Sequence, residues 1–159
     1  NQGIQSSITY ITIYIFMNLA FFACILMLRR DNKYFENIED LSGLSKNHPV
    51  LSFSFLIVLF SLAGIPPLAG FFAKFYIFTA VLEQSMYFLA ITGLLSTVIA
   101  AYYYLRLIKI IYFDSEKEKY ETNHNIGLKI SLLISSIFIL FYFIYPSWLT
   151  EIIEKITVI

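Results

Sequence analysis

Long apolar runs alternate with short polar segments along this chain. Four apolar runs stand out, at about residues 8–28, 50–82, 86–111 and 128–146. A helix needs about 20 residues to cross a hydrocarbon core of roughly 30 Å. The first, third and fourth runs therefore fit one crossing each. The whole chain, residues 1–159, is predicted to form a single membrane domain.

The second run is too long for one straight crossing, because 33 residues of helix would extend about 50 Å. It contains Pro66 and Pro67, which lack the N–H group that helices need and whose rings clash with the preceding turn. Gly64 and Gly70 loosen the backbone on either side. We therefore predict an all-α integral membrane protein with four transmembrane helices, the second of which is discontinuous and broken between Gly64 and Pro67.

Composition supports this class. Hydrophobic residues make up 58% of the chain and the mean hydropathy is +0.73. Charged residues make up only 14%, against about 25% in soluble domains. The formal net charge is zero, so no basic or acidic partner is implied and nucleic acid is not expected. Membrane lipids are expected partners of such an apolar chain. The single cysteine, Cys24, excludes an intrachain disulfide and a cysteine-based metal cluster.

The basic residues are concentrated on one predicted face. Nine of the eleven Lys and Arg residues fall in or beside the two longer polar segments: Arg29, Arg30, Lys33, Lys46, Arg106, Lys109, Lys117, Lys119 and Lys129. The positive-inside rule places these loops in the cytoplasm or the matrix. The first loop, residues 35–49, is either a solvated connector or a short amphipathic surface element.

Lys74 lies inside the second run. The apolar run continues from Phe75 to Leu82, which favours a position at depth over snorkelling of the lysine to the headgroups. Because an apolar environment disfavours an ammonium ion, such a lysine can load and release a proton at working pH. Lys74 is therefore a candidate proton relay beside a break that admits water. A proline kink that only shapes packing is the alternative.

Hydroxyl and amide side chains on the neighbouring runs are candidates for extending a proton path. The candidate lining residues are Tyr10, Tyr14, Asn18, Ser96 and Tyr103. Each such residue also serves commonly as a packing contact between membrane helices. A second group lies toward the ends of runs and is predicted to form an aromatic belt: Tyr102, Tyr104 and Trp148.

The segment SLAGIPPLAGFFAKFYIF, residues 61–78, is followed by AAYYYLRLIKIIYFD, residues 100–114. Together they resemble the C-terminal part of subunit 2 of NADH:quinone oxidoreductase, the antiporter-like membrane subunit of respiratory complex I that is called subunit N in bacteria. The resemblance implies that the four runs are the last four of fourteen helices. It implies that Lys74 matches the family's proton-channel lysine. It also implies that another chain or an upstream segment supplies the preceding helices.

The resemblance further implies a proton-translocating subunit that couples electron transfer on other subunits to proton pumping. Other complex I membrane subunits would be its partners, and they and the redox subunits would carry the NADH, FMN, iron–sulfur clusters and quinone. No cofactor, metal or redox site is expected in this chain. The mitochondrial inner membrane is the expected location, with the bacterial plasma membrane as the alternative. Two other functions stay open: a subunit of a multisubunit cation/proton antiporter, and a structural membrane scaffold that does not pump.

Overall fold

The computed structural model describes residues 2–30, 33–34, 37–115, 121–122 and 125–157. Its helices within these ranges are α1 (Gln2–Met27), α2 (Leu44–Asn47), α3 (Pro49–Ala63), α4 (Ala69–Glu83), α5 (Tyr87–Phe113), α6 (Ile126–Phe141) and α7 (Ser147–Thr157). Short 3-10 turns occupy Ile38–Leu41 and Tyr142–Ile144, and the strands are β1 (Leu28–Arg30), β2 (Lys33–Tyr34) and β3 (Glu121–Thr122). The fold is all-helical apart from these very short strands.

Three helical segments in the described part of the chain are long and apolar enough to cross a membrane. They are α1, α5 and the segment Ile126–Ile144, and they coincide with the first, third and fourth predicted runs. The second run is divided between α3 and α4, each of 15 residues. The all-helical membrane class is thus confirmed, while one discontinuous crossing by residues 50–82 stays a prediction.

The segments that follow α1 and α5 meet at one end of the helix bundle. β1 pairs antiparallel with both β2 and β3, so the two segments share a small sheet. Gly43 N–H donates to the Ile110 carbonyl at 3.1 Å, which ties the first loop to the end of α5. Leu44 in that loop is fully buried, so the described part of the loop, residues 37–49, is a folded element rather than a solvated connector. Some predicted basic positions lie outside the described residues: Lys117, Lys119 and the side chains of Arg30 and Lys33.

α1 is the central helix of the bundle, because it packs against α3, α4, α6 and α7. Small side chains on its inner face, including Ala20 and Cys24, are fully buried and allow close helix packing. Phe16 stacks on Phe138 of α6 with ring centroids 4.2 Å apart. Aromatic pairs of this kind add about 0.5–1.5 kcal/mol beyond the burial of their area.

The sequence analysis did not predict α7. The helical structure of the fourth run ends at Ile144, and α7 begins at Ser147 directly after a proline. Leu149 and Ile153 of α7 are buried, and α7 packs against α1. These two residues are spaced i, i+4, which is a sequence signal of an amphipathic helix. α7 is thus a short helix with one apolar side packed on the bundle.

α3 and α4 are separated by residues 64–68. Gly64 has a φ of 85°, a left-handed conformation that favours glycine. Gly64 N–H donates to the Ser61 carbonyl at 2.9 Å, and Ile65 N–H donates to the Phe60 carbonyl at 3.0 Å. This pair of hydrogen bonds is a Schellman motif, which ends a helix. The two prolines then prevent the helix from continuing, and α4 begins at Ala69.

Gly70 contacts α3 so closely that no side chain fits. A Cβ atom at this position would overlap the Ser61 carbonyl oxygen and lie 3.0 Å from Met17 Sδ. We expect Gly70→Ala to force the helices apart and to lower the free energy of unfolding by about 2–3 kcal/mol. Thermal unfolding in detergent measures this change. Gly3→Ala is the control, since nothing lies within 4 Å of a Cβ there; equal effects of the two substitutions would contradict the packing.

Candidate functional site

The ammonium group of Lys74 lies at the C-terminal end of α3. Lys74 Nζ donates to the Leu62 carbonyl at 2.9 Å and to the Ala63 carbonyl at 3.2 Å. An α-helix leaves its last four carbonyls without partners inside the helix. The Schellman motif pairs two of those four carbonyls in α3, and Lys74 pairs the other two. This helix end is therefore completely satisfied.

The electrostatics of this contact favour a cation. The C-terminal end of a helix carries a partial negative charge, so a positive group there is stabilised. Hydrogen bonds to a charged group contribute about 1.5–3 kcal/mol each. A Cβ at Gly64 would lie 3.1 Å from Lys74 Cδ and 3.1 Å from Nζ, so the absence of a side chain there leaves room for the lysine. The ammonium is thus directed toward the break and not toward Glu83 at the far end of α4.

A cavity of about 320 Å³ lies beside Lys74. Side chains of α1, α3, α4 and α5 form its wall, and its polar lining residues are Tyr10, Tyr14, Lys74, Ser96, Thr97 and Tyr104. A water molecule occupies about 30 Å³ in the liquid, so this volume has room for several waters. The arrangement therefore places an amine, three phenols and two aliphatic hydroxyls around a space large enough to hold water.

The structure brings together some of the predicted lining residues. Tyr10, Tyr14 and Ser96 lie on the cavity wall, and the first two stack with ring centroids 6.0 Å apart. Asn18 is not part of the wall, and its Nδ2 donates to the Tyr14 carbonyl at 2.8 Å. Tyr103 is also absent from the wall and is 57% exposed. The structure therefore does not place Asn18 and Tyr103, two of the predicted lining residues, on the wall of this cavity.

Tyr104 and not Tyr103 lies on the cavity wall. Thr97, Ala100 and Tyr104 are spaced i, i+3, i+7 and share one face of α5, whereas Tyr103 lies at the exposed edge of that face. The sequence analysis assigned Tyr104 to the aromatic belt and did not consider Thr97. Tyr103 has the same i+7 spacing from Ser96, so periodicity alone does not separate the two tyrosines. For Tyr102 and Trp148 the aromatic belt stays a prediction.

Ser61 is a further polar residue at the break that the sequence analysis did not single out. Its side chain is fully buried. Its hydroxyl accepts a hydrogen bond from Gly70 N–H at 2.9 Å and donates to Met17 Sδ at 3.1 Å. The first amides of a helix have no acceptor inside the helix, and Ser61 supplies one for α4. A single side chain thus connects α1, α3 and α4.

The comparisons with known proteins identify the family. Residues 1–100, more than half of the chain, match the family described as NADH:quinone oxidoreductase/Mrp antiporter, TM. The chain belongs to this family. The resemblance that residues 61–78 and 100–114 indicated is therefore confirmed.

Several curated members of the family are closely similar. The NADH-quinone oxidoreductase subunit N of Pelagibacter ubique is 70% identical over all 159 residues, which cover 34% of that protein. The subunit N of Methylobacterium nodulans is 48% identical over 92% of this chain and 30% of its own length. The subunit N of Parvibaculum lavamentivorans is 47% identical over the same shares. The chain spans about a third of the length of these relatives.

A solved structure shares the fold of this family member. It is described as respiratory complex I from Thermus thermophilus with bound aureothin, and one of its chains matches with a TM-score of 0.76 at 24% identity. The match covers 92% of this chain and 34% of that chain. The helical arrangement described above is thus also found in a solved structure.

The hydrogen bonds of Lys74 predict a role in stability. Lys74→Met would leave the Leu62 and Ala63 carbonyls without a donor, and we expect the free energy of unfolding to fall by about 1–3 kcal/mol. Lys74→Arg keeps N–H donors and is expected to retain most of the stability. Thermal unfolding in detergent measures both variants. Lys155→Met, at an exposed position of α7, is the control; an equal loss in the control would contradict this role.

Proposed function

We propose that this chain is part of a proton-translocating membrane subunit of NADH:quinone oxidoreductase. The observation that carries the proposal is the Lys74 ammonium at a broken helix, beside a cavity lined by tyrosines and hydroxyls. The 70% identity to a protein named subunit N supports it. We infer that NADH oxidation and quinone reduction, with FMN and the iron–sulfur clusters, occur on partner subunits and that this chain contributes no redox, cofactor or metal site.

We further propose that α3 and α4 form one discontinuous crossing, which makes four crossings with α1, α5 and α6. Each half of 15 residues is about 22 Å long, short of a hydrocarbon core of roughly 30 Å. Irregular backbone at membrane depth is tolerated where protein or cavity water satisfies it. Lys74 pairs carbonyls on one side of this break and Ser61 pairs an amide on the other. These hydrogen bonds support a position of the break within the membrane.

We propose a bacterial plasma membrane as the location, with the basic end of the bundle in the cytoplasm. The relatives named above are bacterial proteins, which favours this location over the mitochondrial inner membrane that was expected from the sequence. The sheet and the contact between Gly43 and Ile110 bring the two basic segments to the same end. The positive-inside rule then supports the cytoplasmic assignment. Membrane lipids and other membrane subunits of the complex are the proposed partners.

In the proposed mechanism, Lys74 alternates between an ammonium ion and a neutral amine. The ammonium has three N–H donors, and two of them bind the Leu62 and Ala63 carbonyls. The third can bind water in the cavity, whose wall also includes the side chains of Tyr104 and Thr97. When the proton leaves, the positive charge that stabilises the end of α3 leaves with it. Proton release is thus linked to the hydrogen bonds that join Lys74 to the carbonyls at the end of α3.

The same hydrogen bonds support a second candidate, in which Lys74 is only a structural cap. The carbonyl contacts would hold α3 and α4 together even if the lysine never released a proton. Arginine separates the two roles, because its guanidinium donates hydrogen bonds but remains charged at all working pH values. The relay and the cap therefore predict different activities for the same variant.

We expect Lys74→Arg to keep the assembled complex stable but to reduce NADH-driven proton pumping at least tenfold. Lys74→Met is expected to reduce pumping to the same extent. Proton uptake by inverted membrane vesicles measures pumping, and thermal unfolding of the purified complex measures stability. Full pumping by Lys74→Arg together with loss in Lys74→Met would favour the cap. Normal pumping by an intact Lys74→Met complex would contradict the relay.

The family description also includes cation/proton antiporters, and the same vesicles distinguish that function. A subunit of the oxidoreductase should purify with redox subunits and should move protons only when NADH is oxidised. An antiporter should exchange a cation for protons in response to an imposed gradient without NADH. Exchange of this kind by a complex that lacks redox subunits would contradict the proposed function.

The cavity wall predicts different effects for two neighbouring tyrosines. Tyr104→Phe removes a phenol hydroxyl from a residue that lines the cavity, and we expect NADH-driven proton pumping to slow about threefold to tenfold. Tyr103→Phe removes the same group from an exposed residue outside the cavity and should leave the rate unchanged. Vesicle proton uptake compares the two. A slower rate only in Tyr103→Phe would show that the route does not use this cavity.

A further inference from the structure

We propose that Ser61 is a positioning residue for Lys74. The Ser61 hydroxyl holds the first turn of α4 against the last turn of α3. This inference rests on the proposed function of Lys74 as a proton relay. Ser61 does not line the cavity, and in this proposal it does not transfer the pumped proton. Its effect is to determine where the ammonium group lies.

The hydrogen bonds of Ser61 are well suited to this role. Its Oγ is fully buried, accepts from Gly70 N–H at 2.9 Å and donates to Met17 Sδ at 3.1 Å. Both functions of the hydroxyl, donor and acceptor, are therefore used within the protein. Because each partner belongs to a different helix, the hydroxyl fixes three helices relative to one another.

Ser61 and Lys74 act on the same pair of helix turns. Gly70 and Lys74 are separated by one turn and lie on the same side of α4. Lys74 reaches the carbonyls of Leu62 and Ala63, the two residues that directly follow Ser61. Those bonds measure 2.9 and 3.2 Å, so a displacement of α4 by about 1 Å would break them. The contact between Ser61 and Gly70 opposes such a displacement.

The contact with Met17 connects the break to the cavity. Met17 lines the cavity together with Tyr14, which lies three residues earlier on α1. The Ser61 hydroxyl therefore bonds to a residue of the cavity wall and to the helix that carries the relay lysine. Around Lys74, the titratable cavity groups of the packed elements are Tyr10 and Tyr14 of α1 and Tyr104 of α5, while α3 contains none. Two further elements pack on α4: α6, whose single titratable residue is Lys129 in its first turn, and the 3-10 turn Tyr142–Ile144, whose titratable residue is Tyr142.

Ser52 provides a matched control on the same helix. It is a fully buried serine of α3, like Ser61. Within the described part of the chain, its Oγ has no hydrogen-bond partner. Ser52→Ala therefore removes the same atom from the same helix without removing a contact to α4. An effect that comes only from the missing volume of a buried hydroxyl would appear in both variants.

The test compares Ser61→Ala, Ser61→Thr and Ser52→Ala in the complete complex, reconstituted in proteoliposomes. The readout is the pH dependence of NADH-driven proton pumping. We expect Ser61→Ala to shift the midpoint of that profile by about one unit toward lower pH, since weaker hydrogen bonds to the ammonium favour loss of its proton. Ser61→Thr keeps the hydroxyl and should restore the original midpoint. Ser52→Ala should leave the midpoint unchanged.

A Ser61→Ala profile that keeps its midpoint and only loses amplitude would overturn the proposal. If Ser61→Ala does not assemble, Ser61→Cys replaces it, because a thiol is a weaker acceptor for Gly70 N–H. Ser61→Cys should then shift the midpoint by a smaller amount, and an unchanged midpoint overturns the proposal. Failure of the relay itself is distinct, because Lys74→Met would then pump normally whatever the Ser61 variants do.

Discussion

The structure depends on the pairing of backbone groups at the two helix ends that meet between α3 and α4. Amides and carbonyls at helix ends have no partners within their own helix, and an apolar environment offers no water to replace them. Here each half supplies the partner of the other. Lys74 of α4 pairs carbonyls of α3, and Ser61 of α3 pairs an amide of α4. The break is thus held together by side chains that cross it.

This constraint links stability with the proposed proton chemistry. A lysine that only packed beside the break could gain or lose a proton with little structural consequence. Lys74 instead binds two carbonyls, so its charge stabilises the end of α3. The adjacent cavity, lined by tyrosine and hydroxyl side chains, gives the same amine access to a polar space. One residue therefore connects helix pairing with the route that we propose for protons.

The remainder of the fold positions this site. α1 lies at the centre and contributes Met17 and Tyr14 to the cavity wall while it packs against α6. α5 closes the other side and leaves large apolar side chains exposed, such as Val98 at 67%. Exposed apolar residues on a long helix fit an apolar surrounding rather than water. The charged segments, by contrast, gather at one end through the small sheet.

The sequence by itself determined the helical membrane class, and it predicted the position of the break and a role for Lys74. These follow from local properties: run length, the missing N–H of proline and the cost of a charge among apolar residues. Only the tertiary structure decided that Tyr104 rather than Tyr103 faces the cavity and that Ser61 bonds to Gly70 and Met17. The tertiary structure likewise decided that Lys74 donates to the Leu62 and Ala63 carbonyls. Such contacts depend on the rotation and approach of helices that are distant in sequence, and no local pattern of residues specifies those two quantities.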